Sequence, residues 1–204
     1  MMRMLAIDCA TEACSLALFE GEELLAARHE ILGRGHAEQL VPLIASLPGR
    51  GRAAEIRVSL GPGSFTGVRI GLAAARALGL AWGATVRGYP TLGLVAAMAR
   101  REHPGPVSVC MAGGHGEWFV QDFDDAGMPE CPSLSVDPET ARSLPSHQLI
   151  AGNRARERAA QSGGHRHVLD ILPDARLVPG VPQSVLRADL SPIYGRPPDA
   201  RVPA

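Results

Sequence analysis

Residues 55–82 constrain the fold most tightly. A short strand over 55–60 runs without a linker into Gly61-Pro62-Gly63-Ser64-Phe65-Thr66-Gly67, and that turn opens a helix over 66–82. Phe65, Val68, Leu72, Ala75, Gly79 and Trp82 form one stripe at spacings of three and four, while Ile70, Ala73, Ala74, Ala77 and Ala81 make the opposite side apolar or small. Only Arg69 and Arg76 are charged, seven apart and so on one edge. A helix of this kind has to be covered on two sides, by its own sheet and by something else.

The glycine-rich turn has two readings. Glycines permit close approach and positive φ, Ser64 or Thr66 can cap the helix, and free N–H groups of a first turn can hold an anion, so Gly61, Gly63, Ser64, Thr66 and Gly67 are candidates for a phosphate or carboxylate cradle. The other reading is a capped strand-to-helix turn with no ligand. The segment is neither a Walker loop, whose Gly-Lys-Ser/Thr ending it lacks, nor a nucleophile elbow around Ser64, because positions 62 and 66 are Pro and Thr. Asp8 and Thr11 stand at the end of the first predicted strand, where an acid could hold Mg²⁺ beside a phosphate; with Ala10 where a phosphate-facing turn favours glycine, the reading as hydrogen-bonding groups of a strand-end turn is the stronger one.

Around this unit the pattern alternates. Residues 4–8, 15–19 and 23–28 read as three strands of a meander, and 36–47 as an amphipathic helix carrying Ala37, Leu40, Val41, Ile44 and Leu47, with Pro42 inside it expected to introduce a kink. Strand 84–88, helix 91–100 and strand 106–112 continue the alternation. Beyond residue 100, where 13 of the 17 prolines lie, short elements and loops are expected: strands over 117–123 and 148–151, a helix over 154–161, and a frayed tail from Pro192. No repeat is visible in the residues.

All 20 basic residues are arginine, which removes phosphate-loop, Schiff-base and nucleophilic lysine chemistry. A net charge of -1 gives no electrostatic drive toward nucleic acid or anionic membranes. Cys9, Cys14, Cys110 and Cys131 form no C-x-x-C, and no start resembling a signal peptide or membrane span is read, so a reduced, cytoplasmic chain is expected. The seven histidines contain no H-x-x-x-H or H-E-x-x-H; His165-Arg166-His167 reads as a solvated loop, and no metal site is expected. His115, Glu117 and Asp122 are acid–base candidates only if the fold gathers them.

Residues 4–18 and the string 61–71 strongly resemble the TsaB (YeaZ) family, related to the glycoproteases and M22-like peptidases, and the likeness extends through His36, Pro42 and Pro90-Thr91-Leu92. Beyond residue 100 it continues in pieces: Gly116-Glu117-Trp118-Phe119, Gly152-Asn153 and Pro192-Ile193-Tyr194-Gly195-Arg196. The resemblance implies an actin-like, ribonuclease H-like α/β fold of two lobes, 1–100 and a shorter, loop-rich 101–204. It implies a non-catalytic subunit in N6-threonylcarbamoylation of adenosine 37 of tRNA, which pairs with and activates the metal-bearing TsaD, is joined by the ATPase TsaE, and meets tRNA only through the complex. No cofactor is expected of the chain itself, ATP and Mg²⁺ entering only with the complex, and no membrane partner. His36 followed by Leu40 cannot form TsaD's histidine pair. The resemblance places partner binding, or homodimerisation, on the two helices of the first lobe through His36, Leu40, Val41, Ile44, Val68, Arg69, Leu72, Ala75 and Arg76. Which helix face meets sheet and which meets partner stays open. The sequence departs from the family at Cys9, commonly Thr, and at Ala112-Gly113-Gly114, usually Asp-Ala-Arg. The competing readings are an ATP-dependent phosphotransferase or ATPase of the same fold, using Asp8 for Mg²⁺ and the glycine turn for phosphates, and an M22-type peptidase.

Overall fold

A computed structural model describes residues 2–160 and 165–195. Strands β1 (Arg3–Asp8), β2 (Ala13–Glu20) and β3 (Glu23–Ile31) form the meander. Helix α1 (His36–Ala45) follows, continuous through the exposed Pro42, then β4 (Glu55–Ser59), α2 (Phe65–Trp82), β5 (Thr85–Tyr89) and α3 (Thr91–Glu102). The second half holds β6 (Val107–Ala112), β7 (Trp118–Phe123), β8 (Leu134–Val136), α4 (Pro138–Ser143), β9 (Leu149–Ala151), α5 (Ala155–Ala159) and β10 (His167–Leu169).

The strands make two five-stranded sheets, ordered β3-β2-β1-β4-β5 and β8-β7-β6-β9-β10. In each, the first strand pairs antiparallel with the second and parallel with the fourth, and the fourth is parallel to the fifth. The molecule is thus one topology used twice, the two-lobe actin-like arrangement, although no repeat is legible in the residues. The helices are unequal: α4 and α5 have 6 and 5 residues where α1 and α2 have 10 and 18.

The period-two alternation of β1 explains the layers. Leu5 and Ile7 join Leu16, Leu18, Ile56 and Val58 under α1 and α2, where Leu40, Ile44, Val68, Leu72 and Ala75 meet them. Met4 and Ala6, with Ala17 and Phe19, face the other way, onto Leu94 of α3, onto Ala175 and Val178 of a helical turn, Ala175–Gly180, and onto Val181 just after it. The far side of α3 (Leu92, Val95, Ala96, Ala99) packs on the second sheet through Val107, Val109, Met111 and Phe119. That one helix wedges the lobes together accounts for its burial on both flanks.

Two expectations are corrected. The segment from Pro192 does not fray over its described part: the Ile193 N–H donates to Leu60 O at 2.7 Å, and Arg187 bridges Gly88 on the edge strand β5. Arg196, Pro197, Pro198 and Pro203 lie outside the described residues, as does residue 161 of the expected 154–161 helix. His167, assigned to a solvated loop, opens β10, its ring 4.9 Å from that of His103. Among the described residues no helix is long and apolar enough to cross a membrane.

Candidate functional site

The glycine turn and the end of β1 are built against each other. A Cβ on Gly63 would stand 2.2 Å from Ala10 O, and one on Gly67 would stand 2.0 Å from Cys9 O, so glycine is demanded by the close approach of the β1–β2 turn to the head of α2. Gly61 sits at φ 90°, and a Cβ there would stand 2.9 Å from Ile193 O. The Ser64 N–H donates to Ala10 O at 2.7 Å, and Ser64 Oγ accepts from the Gly67 N–H at 3.2 Å, capping α2. Donors at 64 and 67 are therefore spent inside the molecule rather than on an anion.

Asp8 is also turned inward. Its carboxylate is fully buried, accepting from the Ala10 N–H at 3.0 Å and from the Tyr89 hydroxyl at 3.1 Å, while the same hydroxyl lies 2.9 Å from Ile7 O. Burial pushes the carboxyl up to about 6 against the pull of these hydrogen bonds, with Asp174 adding to the rise. The assignment of Asp8 as a Mg²⁺ ligand is corrected accordingly: no face of it is open to an ion. Thr11 Oγ1 accepts from the Ala13 N–H at 3.2 Å, closing the turn.

Between the lobes lies a cleft of about 980 Å³. Thr11, Ser64 and Thr66 line it, joined by Glu12, Phe65 and Arg69 from the first lobe, His115, Glu117 and Phe119 from the second, and Tyr194 from the returning chain. The Arg69 guanidinium lies 3.3 Å from the Phe65 ring centroid and donates to Tyr194 Oη at 2.7 Å. Asn153 ties the lobes together, its Oδ1 accepting from the Ala112 N–H at 2.8 Å and its Nδ2 donating to Glu12 Oε1 at 3.3 Å. Glu117 accepts from Ser135 Oγ at 2.6 Å. Where the resembling family has Asp-Ala-Arg, Ala112-Gly113-Gly114 offers the cleft only backbone.

The helix pair resolves the question of faces. His36, Leu40, Ile44, Val68, Leu72 and Ala75, all assigned to partner binding, are buried in this chain's own core; His36 Nε2 is 3.3 Å from Ala13 O. They pack on the sheet because their stripe is the more continuous and bulky one. The solvent side carries Val41 (56 % exposed), Leu80 (89 %) and Phe65 (61 %), with exposed Ala73, Ala77 and Ala81 between them. Arg69 and Arg76 stay exposed but are held by the returning chain, Arg76 donating to Leu190 O at 3.1 Å. Exposure of Leu80 was not legible from the stripe, since position 80 belongs to neither run of spacings.

Comparison with known proteins places this geometry. The family model described as "TsaD: tRNA N6-adenosine threonylcarbamoyltransferase" matches residues 29–129. The "tRNA threonylcarbamoyladenosine biosynthesis protein TsaB" of Escherichia coli is 36 % identical over 107 residues, covering 50 % of this chain and 46 % of that protein. Its namesake in Haemophilus influenzae is 37 % identical over 101 residues, 47 % of this chain and 41 % of that protein. The chain thus matches less than half the length of these curated relatives. The solved structure of YeaZ from Pseudomonas aeruginosa superposes with a TM-score of 0.78 at 25 % identity, over 95 % of this chain and all of that one. Shared motif strings in the first lobe and a shared fold through both lobes lead to one statement: the chain belongs to the TsaB/YeaZ family.

Proposed function

We propose that this chain is a non-catalytic accessory subunit in the threonylcarbamoylation of tRNA adenosine, binding and activating a TsaD-type transferase. The observation that carries the reading is the outer side of α1 and α2, where Val41, Phe65, Leu80 and three alanines remain in water on helices whose inner sides are already fully used. An exposed apolar strip on closely packed helices is what a helical partner covers. The same strip serves a second copy of the chain when the transferase is absent. TsaE joins the pair, tRNA is met through the assembled complex, and the location is the cytoplasm. Support against an intrinsic ATPase or phosphotransferase comes from Asp8 and the glycine turn, both engaged internally. ATP and Mg²⁺ act only at the level of the complex.

The test is reconstitution of tRNA modification from the cognate transferase with and without this chain, together with co-purification of the pair. Leu80→Glu is expected to abolish co-purification and the gain in modification while the monomer stays folded. Full activity of the transferase alone, or undiminished capture by the variant, overturns the proposal.

A further inference from the structure

On the second lobe, far in sequence from the cleft motifs, Asp122, Glu130 and His147 each bring one ligand atom into a group whose members lie within 4.8 Å of one another. Their gathering is fixed by backbone. The Glu130 N–H donates to Asp122 O at 2.9 Å. The His147 N–H donates to Ser108 Oγ at 2.9 Å, and Ser108 is the cross-strand neighbour of Asp122 in the β6–β7 ladder. Arg166 holds the same loop from the outside, donating through Nη1 to Ser146 O at 3.0 Å and His147 O at 2.9 Å.

An ion pair explains only part of this arrangement. His147 Nε2 is 3.0 Å from Glu130 Oε2, so one imidazole proton satisfies one carboxylate. Asp122 Oδ1 is buried and has no hydrogen-bond partner, the kind of unsatisfied carboxylate oxygen that structures avoid unless something fills the place. A cation satisfies all three acceptors together, where a proton satisfies one. His147 also lines a hollow of about 450 Å³, together with His103 and His167.

We propose that Asp122, Glu130 and His147 form a binding site for a divalent first-row transition-metal ion of the zinc type. Two carboxylates with one imidazole give three protein donors and leave further positions for water. The nitrogen donor favours such an ion over Mg²⁺ or Ca²⁺, which take oxygen. The site is independent of the partner face on α1 and α2, so its failure and the failure of the accessory-subunit reading are separable.

The test is calorimetric titration of the chelator-stripped full chain with Zn²⁺, and with Co²⁺ followed by its visible absorption. One equivalent is expected to bind, with His147→Gln and Asp122→Asn each weakening affinity by at least about tenfold. Excess Mg²⁺ should not compete. Glu130→Gln, at an exposed carboxylate, is the control that keeps the question open to refutation if Asp122→Asn fails to fold. Absence of stoichiometric binding overturns the proposal. So does binding that the His147 and Glu130 variants leave unchanged, because it would place the metal elsewhere, for example on His103 and His167.

Discussion

Asp8→Asn should make the protein more stable at neutral pH and less dependent on pH. In the fold the Asp8 carboxyl is pushed from 3.8 to about 6, chiefly by burial. A folded-state value above the unfolded one means that the native state holds the proton longer. The stabilising contribution is therefore complete below about pH 4, falls as pH rises toward 6, and is gone above it. Two units correspond to about 3 kcal/mol. The carboxamide reproduces the protonated acid: its Oδ1 accepts from the Ala10 N–H, and its Nδ2 donates to the Tyr89 oxygen, leaving the single phenolic proton for Ile7 O at 2.9 Å. Urea denaturation of both proteins at pH 4.5, 6 and 8 measures the effect, and the difference between them cancels the carboxylates they share. That difference should grow in favour of the variant by about 2 kcal/mol between pH 4.5 and 8, since about a third of the whole effect is already lost at pH 4.5. A difference that does not change with pH, or one that favours the wild type at pH 8, refutes the argument from burial. In the reconstituted system the variant should keep its activity, whereas a Mg²⁺-binding Asp8 predicts its loss.

The other outcomes follow from packing. Gly67→Ala sets a Cβ 2.0 Å from Cys9 O and should cost about 3 kcal/mol by thermal or chemical denaturation, whereas Gly83→Ala, at φ 65° with nothing within 4 Å, should cost about 1 kcal/mol. Equal losses would show that the close approach to Cys9 O does not select glycine at 67. Leu72→Glu buries a charge at a position 2 % exposed and should unfold the first lobe, while Leu80→Glu should leave the melting temperature within about one degree and act only on association. Circular dichroism melts of the two variants separate core from surface directly.

The first lobe was legible because its signals are long. An 18-residue helix gives several turns of periodicity, and β1 and β2 alternate through buried residues of consistent size. Strands β8 and β10, three residues each, and the six-residue α4 are shorter than any period can define, so the second sheet's edges and first helix escaped notice. At the site, the glycine string and Asp8 marked the right place but not its orientation. Whether Asp8 faces ligand or Tyr89 depends on a residue 81 positions later. For α2 both sides look apolar, and only the sheet decides that Leu72 goes in and Leu80 stays out. The cluster of Asp122, Glu130 and His147 has no regular spacing at all, being assembled by a strand and two loops.

The chain's late return to its first sheet sets a timetable for synthesis. Ser15 Oγ accepts the Ala175 N–H at 2.8 Å across 160 positions, and Val178 and Val181 finish covering Met4, Ala6, Ala17 and Phe19. At ribosomal speeds those 160 residues take roughly ten to thirty seconds to emerge. Until then the underside of the first sheet, reached earlier by Tyr89 and by Leu94 of α3, is a partly covered apolar surface on a nascent chain, a natural client for a holding chaperone. Ribosome-stalled chains ending near residue 170 should therefore stay sensitive to protease within β1 and β2, and become resistant once residue 181 has cleared the exit tunnel. The first hundred residues, for all the clarity of their pattern, cannot finish folding by themselves.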